Sequence, residues 1–216
     1  MNKIKIWDIG TRLFHWLLVV AFGLSAYSAF QDKYGDFATI HTWSGFTVLV
    51  LVIWRIVWGF VGSEMSLFKT FLTSPRAAIA YIKSAKPYEH KGHNPLGGYS
   101  VIAMLLLLLV QAVLGLFATD DMFFDGPLTG LAGSDAALIT EIHEITGYSL
   151  FVLVGLHIAA VAFYAVAKRV NLVLPMITGN APSDGVSEKP RMRSPLLAAV
   201  LLMLIGAVCY QVIWGV

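Results

Sequence analysis

Cysteine is almost absent from this chain, with Cys209 standing alone among 216 residues. That excludes an internal disulfide framework, covalent c-type haem through C-x-x-C-H, iron–sulfur clusters and cysteine-ligated zinc. Charge is scarce too: Asp, Glu, Lys and Arg make up 13% of the residues, and the formal net charge is +2. The basic residues flank apolar runs and form no recognition helix, which excludes nucleic acid as a partner. What remains is apolar, with 57% hydrophobic residues and a mean hydropathy of +0.73. A soluble protein of this length cannot bury so much apolar surface, so the chain reads as an all-α integral membrane protein.

Five segments are long enough to cross a bilayer: Thr11–Phe30, Thr39–Phe60, Pro95–Ala118, Leu138–Ala167 and Pro195–Trp214. The first has basic residues before it and small residues after it, as a signal peptide does, but Arg12, His15 and Trp16 interrupt its core and predict a retained span. Between the second and third spans, residues 64–86 mix apolar and basic residues around Ser74-Pro75, a cap followed by a first-turn proline. That stretch predicts a short interfacial helix. Asn94-Pro95 repeats the grammar at the third span. The expected organisation is a four-helix core over 1–180, a flexible linker over 181–194 and an additional transmembrane helix over 195–216.

Lys and Arg fall on alternate connections. With the N-terminus inside, Lys3, Lys5, Arg12, the basic residues of 69–91 and those of 168–193 are all cytoplasmic, leaving Lys33 alone outside. The outer loops carry Asp32, Asp36, Asp120, Asp121, Asp125 and Asp135. The expectation is a multi-pass protein of the bacterial inner membrane, N-terminus cytoplasmic and C-terminus periplasmic.

The chain is organised around Leu138–Lys168, which carries His143 and His157. Fourteen residues separate them, which is about 21 Å along a helix and about 40° around it. Ionisable residues inside a membrane are costly and point to function. By topology, His15 lies at the depth of His157, and His41 at the depth of His143. Two bis-histidine sites stacked across the membrane follow, each suited to a non-covalent haem b with both axial positions filled. Saturated iron favours electron transfer over small-ligand chemistry. The plain alternative is that each histidine bonds neighbouring helices. A catalytic zinc, which needs three convergent ligands, fits less well.

Gly45 and Gly147 each lie four residues after a proposed ligand, clearing space for a flat macrocycle or else permitting close helix packing. Arg12 and Arg55 are the candidates to meet haem propionates, Arg12 having a snorkelling role as its alternative. Trp16, Trp43, Trp54 and Trp58 read as anchors and packing residues. His93, beside Asn94, is a candidate to bind or protonate a quinone headgroup, or else to order its loop. His90 reads as solvated.

Trp7-Asp-Ile-Gly-Thr-Arg-Leu-Phe-His15-Trp, His41-Thr-Trp-Ser-Gly45, Arg55-Ile-Val-Trp-Gly-Phe-Val-Gly62 and Gly92-His-Asn-Pro-Leu-Gly-Gly98 resemble the bacterial cytochrome b561 family. The branch resembled is that of the Ni/Fe-hydrogenase b-type cytochrome subunits. The resemblance covers roughly residues 4–180 and implies a four-helix diheme core ligated by His15, His41, His143 and His157. It also implies exchange of electrons between the quinone pool (ubiquinone or menaquinone) and a partner, and it assigns the fifth span no role. Three functions compete: an electron conduit to a periplasmic redox protein such as a c-type cytochrome, a superoxide:quinone oxidoreductase, and the anchor subunit of a hydrogenase-like dehydrogenase. Acidic outer loops repel superoxide and suit a basic partner, which favours the conduit.

Overall fold

The computed structural model describes residues 3–31, 35–83, 92–182 and 189–215. Its elements are mostly helical. Helix α1 spans Ile9–Ala29, α2 Asp36–Val61, α3 Phe68–Phe71, α4 Pro75–Lys83, α5 Pro95–Gly115, α6 Thr129–Ala132, α7 Ala136–Val166, α8 Val173–Thr178 and α9 Pro195–Trp214. Five stretches are long and apolar enough to cross a membrane: α1, α2, α5, the run Thr129–Val166 containing α7, and α9. They coincide with the five segments read from the sequence.

Capping residues start these helices where the backbone N–H groups would otherwise be orphaned. Asp8 accepts from the Thr11 N–H at 2.9 Å, so α1 begins two residues earlier than its apolar run suggests. Asn94 Oδ1 accepts from the Gly97 N–H at 2.8 Å and Ser194 Oγ from the Leu196 N–H at 3.2 Å, each followed by proline in the first turn. Ser74 Oγ accepts from the Ala77 N–H at 3.3 Å, starting the short helix α4.

Helix α2 is the packing centre. More than half of its apolar window is buried (56%), against 17% or less for each of the other four spans. It packs along α1, α5 and α9, whereas α7 lies chiefly against α5. Val48, Leu51, Val52, Trp54 and Trp58 of α2 meet Phe14, Ala21, Leu105, Leu108, Leu150 and Ala198 in one apolar core. Helix α7 buries only Ala136 and Leu150 along its 31 residues. The helix bearing two of the histidines therefore has most of its surface available to lipid and to the space facing α1 and α2.

At the end of the bundle where α1 begins, residues Lys3–Lys5 (β1) pair antiparallel with Asn180–Pro182 (β2), Ile4 opposite Ala181. Ile4, Ile6, Trp7 and Met65 form a second small core there with Met176 and Ala181. Gly179 closes α8 with φ +83°, and a Cβ at this position would lie 2.9 Å from the Trp7 carbonyl oxygen. Its own carbonyl accepts the N–H groups of Ile6 and Trp7. Only glycine combines that conformation with that approach. The stretch expected as a flexible linker over 181–194 is thus anchored at both ends. Residues 181 and 182 are strand, Arg191 exchanges backbone and side-chain bonds with Glu64, and the Arg193 N–H donates to Ser63 Oγ at 3.0 Å. Residues 183–188 lie outside the described residues, as do Lys33, Lys86, Lys91 and His90.

Candidate functional site

The opposite end of the bundle holds a cavity of about 310 Å³ between α1, α2, α5 and α7. His41 and His143 face one another across it, their ring centroids 6.2 Å apart and their planes at 85°. Each ring is fixed from behind. His41 Nδ1–H donates to the Ser25 carbonyl at 3.0 Å, and His143 Nδ1–H donates to the Gln111 carbonyl at 3.0 Å. A carbonyl accepts only, so both imidazoles carry their proton on Nδ1 and leave Nε2 unprotonated, the form that can ligate a metal. His143 Nε2 also lies 3.2 Å from the Gln111 side-chain amide nitrogen, a hydrogen bond that ligation would replace. Thr146 Oγ1 donates to the other end of that amide and sets its orientation.

This arrangement fits an iron porphyrin. Two metal–nitrogen bonds of about 2 Å, with each ring centre roughly 1 Å behind its nitrogen, give a centroid separation of about 6 Å. A Cβ on Gly45 would meet nothing within 4 Å, and Gly45 and Gly147 both line the cavity. Gly115 was not singled out from the sequence. A Cβ there would lie 2.9 Å from His143 Cε1, so its absence is what seats the ring. Segment 116–127 covers the cavity, with Phe124 edge-on to His41 at 6.3 Å. Asp120 Oδ1 holds that segment's turn by accepting three successive backbone N–H groups, from Met122 to Phe124.

The second set of residues converges near the end where α1 begins. His15 and His157 lie within electrostatic reach of each other. His15 Nδ1 is buried without a hydrogen-bond partner, as are Arg12 Nε, Arg55 Nη1 and His93 Nδ1. These orphaned polar atoms make a donor set for an anionic ligand. Arg55 is 3% exposed and stands over the Phe68 ring at 5.3 Å. Arg12 does not snorkel: its Nη1 donates to the Ile177 carbonyl at 2.5 Å, tying α1 to α8, and Trp16 Nε1 donates to the adjacent Met176 carbonyl at 3.3 Å. His93 packs against Trp7 (5.2 Å) and Phe71 (4.9 Å). Burial, with Arg55 and His157 nearby, pushes its pKa down to about 4. The imidazole is neutral at physiological pH.

Asp8 organises this end and was missed from the sequence, although a polar residue just before an apolar run is a cap signal. Its carboxylate accepts from Thr11 N (2.9 Å), Thr11 Oγ1 (2.7 Å), Ser66 Oγ (2.8 Å) and Trp58 Nε1 (3.5 Å). Burial pushes the Asp8 carboxyl up, but these hydrogen bonds outweigh it and leave the pKa below its ordinary value. The negative charge lies within electrostatic reach of Arg55. Gln111 had a signal too, being the only polar side chain between Ser100 and Gly115. Trp54 and Trp58 are core residues, 3% and 1% exposed, and not interface anchors.

Residues 6–179 match the family model described as prokaryotic cytochrome b561. No curated protein and no solved structure matches the chain. The matched segment begins beside Asp8, contains all four membrane histidines and ends at Gly179. With its five apolar helices, the chain therefore belongs to the prokaryotic cytochrome b561 family, multi-pass membrane cytochromes that bind b-type haem and transfer electrons.

Proposed function

We propose that this protein is a diheme b-type cytochrome that carries electrons across the bacterial inner membrane, between the quinone pool and a periplasmic redox partner such as a c-type cytochrome. The observation that carries the reading is the crossed pair His41 and His143, 6.2 Å apart over a cavity, each with Nδ1–H committed to a backbone carbonyl. Bound haem b supplies a one-electron iron centre whose potential the axial ligands, hydrogen bonds and burial adjust. His41 and His143 are the ligands of one centre and His15 and His157 of the other. Ser25 and Gln111 orient the first pair through their carbonyls. Arg55 and Arg12 supply positive charge for the propionates of the second, and Asp8 balances Arg55.

The quinone headgroup site is at the His15 end, near Arg55 and His93. The orphaned Nδ1 of the neutral His93 ring supports it as a hydrogen-bonding group for a carbonyl or hydroxyl. The charge distribution supports a cytoplasmic N-terminus and an acidic periplasmic face around Asp120, Asp121, Asp125 and Asp135 that suits a basic partner. The test is haem stoichiometry with reduced-minus-oxidised spectra on wild type and the variants His15→Ala, His157→Ala, His41→Ala and His143→Ala. Two haems in wild type are expected, with the first two variants losing one signal and the last two losing the other. A single haem in wild type, or a two-haem spectrum persisting in any variant, sinks the assignment.

A further inference from the structure

We propose that the fifth membrane helix is a working part of the distal haem site, with Trp214 forming the cavity wall beside Gly45 and Phe46. It rests on the reading that His41 and His143 hold a haem. Helix α9 lies beyond the family-matched segment, which ends at residue 179. It nevertheless runs antiparallel to α2 along its whole length. Trp54 Nε1 donates to the Ala198 carbonyl at 3.0 Å near one end. Gly206 faces Val50 midway, a Cβ there falling 3.8 Å from Val50 Cγ1. At the far end the Trp214 ring stacks on Trp43 (centroids 5.2 Å, 20° between planes) and meets Phe46 edge-on at 4.9 Å.

Trp214 is the only residue of α9 lining the cavity; the others come from α1, α2, α5, α7 and the segments that join them. Its register is set by two independent contacts, the Ala198 bond and the aromatic cluster, so the indole position is determined by the whole helix. The residue is the last of α9, with Gly215 as its C-cap. An indole at that place keeps water from the cavity edge formed by α2. Water access favours the more highly charged ferric state, because a charge gains from a high dielectric what a neutral centre does not. Trp214 is thus a positioning residue for the cofactor's environment, not a ligand.

The test is a redox titration and a haem-transfer assay to apomyoglobin on full-length protein, comparing wild type, Trp214→Ala and Trp214→Phe. Trp214→Ala is expected to lower the midpoint of the centre that depends on His41 and His143 and to speed its haem loss, leaving the other centre unmoved. Trp214→Phe is expected to restore most of both effects. Wild-type midpoint and haem retention in Trp214→Ala overturns the inference, and so does an equal shift of both centres, which marks general loosening. Failure of the haem reading shows separately, as a wild-type spectrum that does not respond to His41→Ala.

Discussion

Three glycines around the distal cavity give a graded test of how the site is built. A Cβ at Gly45 points into open space, one at Gly147 approaches the movable Gln111 amide at 3.3 Å, and one at Gly115 falls 2.9 Å from His143 Cε1. Gly115→Ala therefore forces the ring or helix α5 to move. Overpacking of this kind costs about 1–3 kcal/mol. If that cost falls on the ring's ligating position, the distal haem is held about 5- to 150-fold less tightly. Gly45→Ala meets no protein atom within 4 Å, so the fold should tolerate it, but its methyl enters the space assigned to the cofactor and should loosen the haem less than Gly45→Leu does. Gly45→Leu places a branched side chain in the cavity itself and should displace the cofactor while the helix bundle stays folded. The assay is haem loss to apomyoglobin, followed at the wavelengths of each centre, with the His15-dependent signal as internal reference. Haem retention should be lower in Gly115→Ala than in Gly147→Ala, and lower in Gly45→Leu than in Gly45→Ala. Wild-type retention in both Gly115→Ala and Gly45→Leu would refute the placement of the cofactor in this cavity.

Further outcomes follow from other contacts. Asp8→Ala strands the Thr11 N–H and the Trp58 indole and leaves the Thr11 and Ser66 hydroxyls only each other. It should destabilise the protein by about 2–3 kcal/mol in reversible detergent unfolding, with Asp8→Asn losing less; an unchanged midpoint would show that the network carries no stability. Trp54→Phe removes the indole bond to the Ala198 carbonyl and should cost about 0.6–1.7 kcal/mol in the same measurement, with haem content unaltered. The perpendicular imidazole planes of His41 and His143 predict a strongly anisotropic low-spin ferric EPR signal, because crossed rings leave the iron π orbitals nearly degenerate. A weakly anisotropic signal from both centres would contradict that orientation.

Much of the fold was legible because a membrane imposes simple rules. Apolar length located the five spans, and Asn94 and Ser74 marked helix starts through local hydrogen bonds that need no tertiary partner. Helical periodicity put His143 and His157 on one stripe. Alternation of crossings matched them by depth with His41 and His15, since depth follows from chain direction alone. The sequence by itself therefore determined the helical membrane class, the candidate ligands and their two levels.

Tertiary structure alone decided how those groups are used. Depth says nothing of what stands behind a ring, so the Ser25 and Gln111 carbonyls that orient His41 and His143 were invisible, as was the space that Gly115 leaves. Helix α7 carries two histidines, yet α2 is the packing centre, because burial depends on which helices surround a span and not on its composition. The polar stretch over 181–194 lacks periodicity and reads as a free linker, but non-local pairing with Lys3–Lys5 and Glu64 ties its ends. Trp214 gave no sign of a role: it lies 168 positions after Phe46, and only the antiparallel packing of α9 on α2 brings them together. Local rules act along the chain, whereas the walls of a site are set by contacts between segments distant in it.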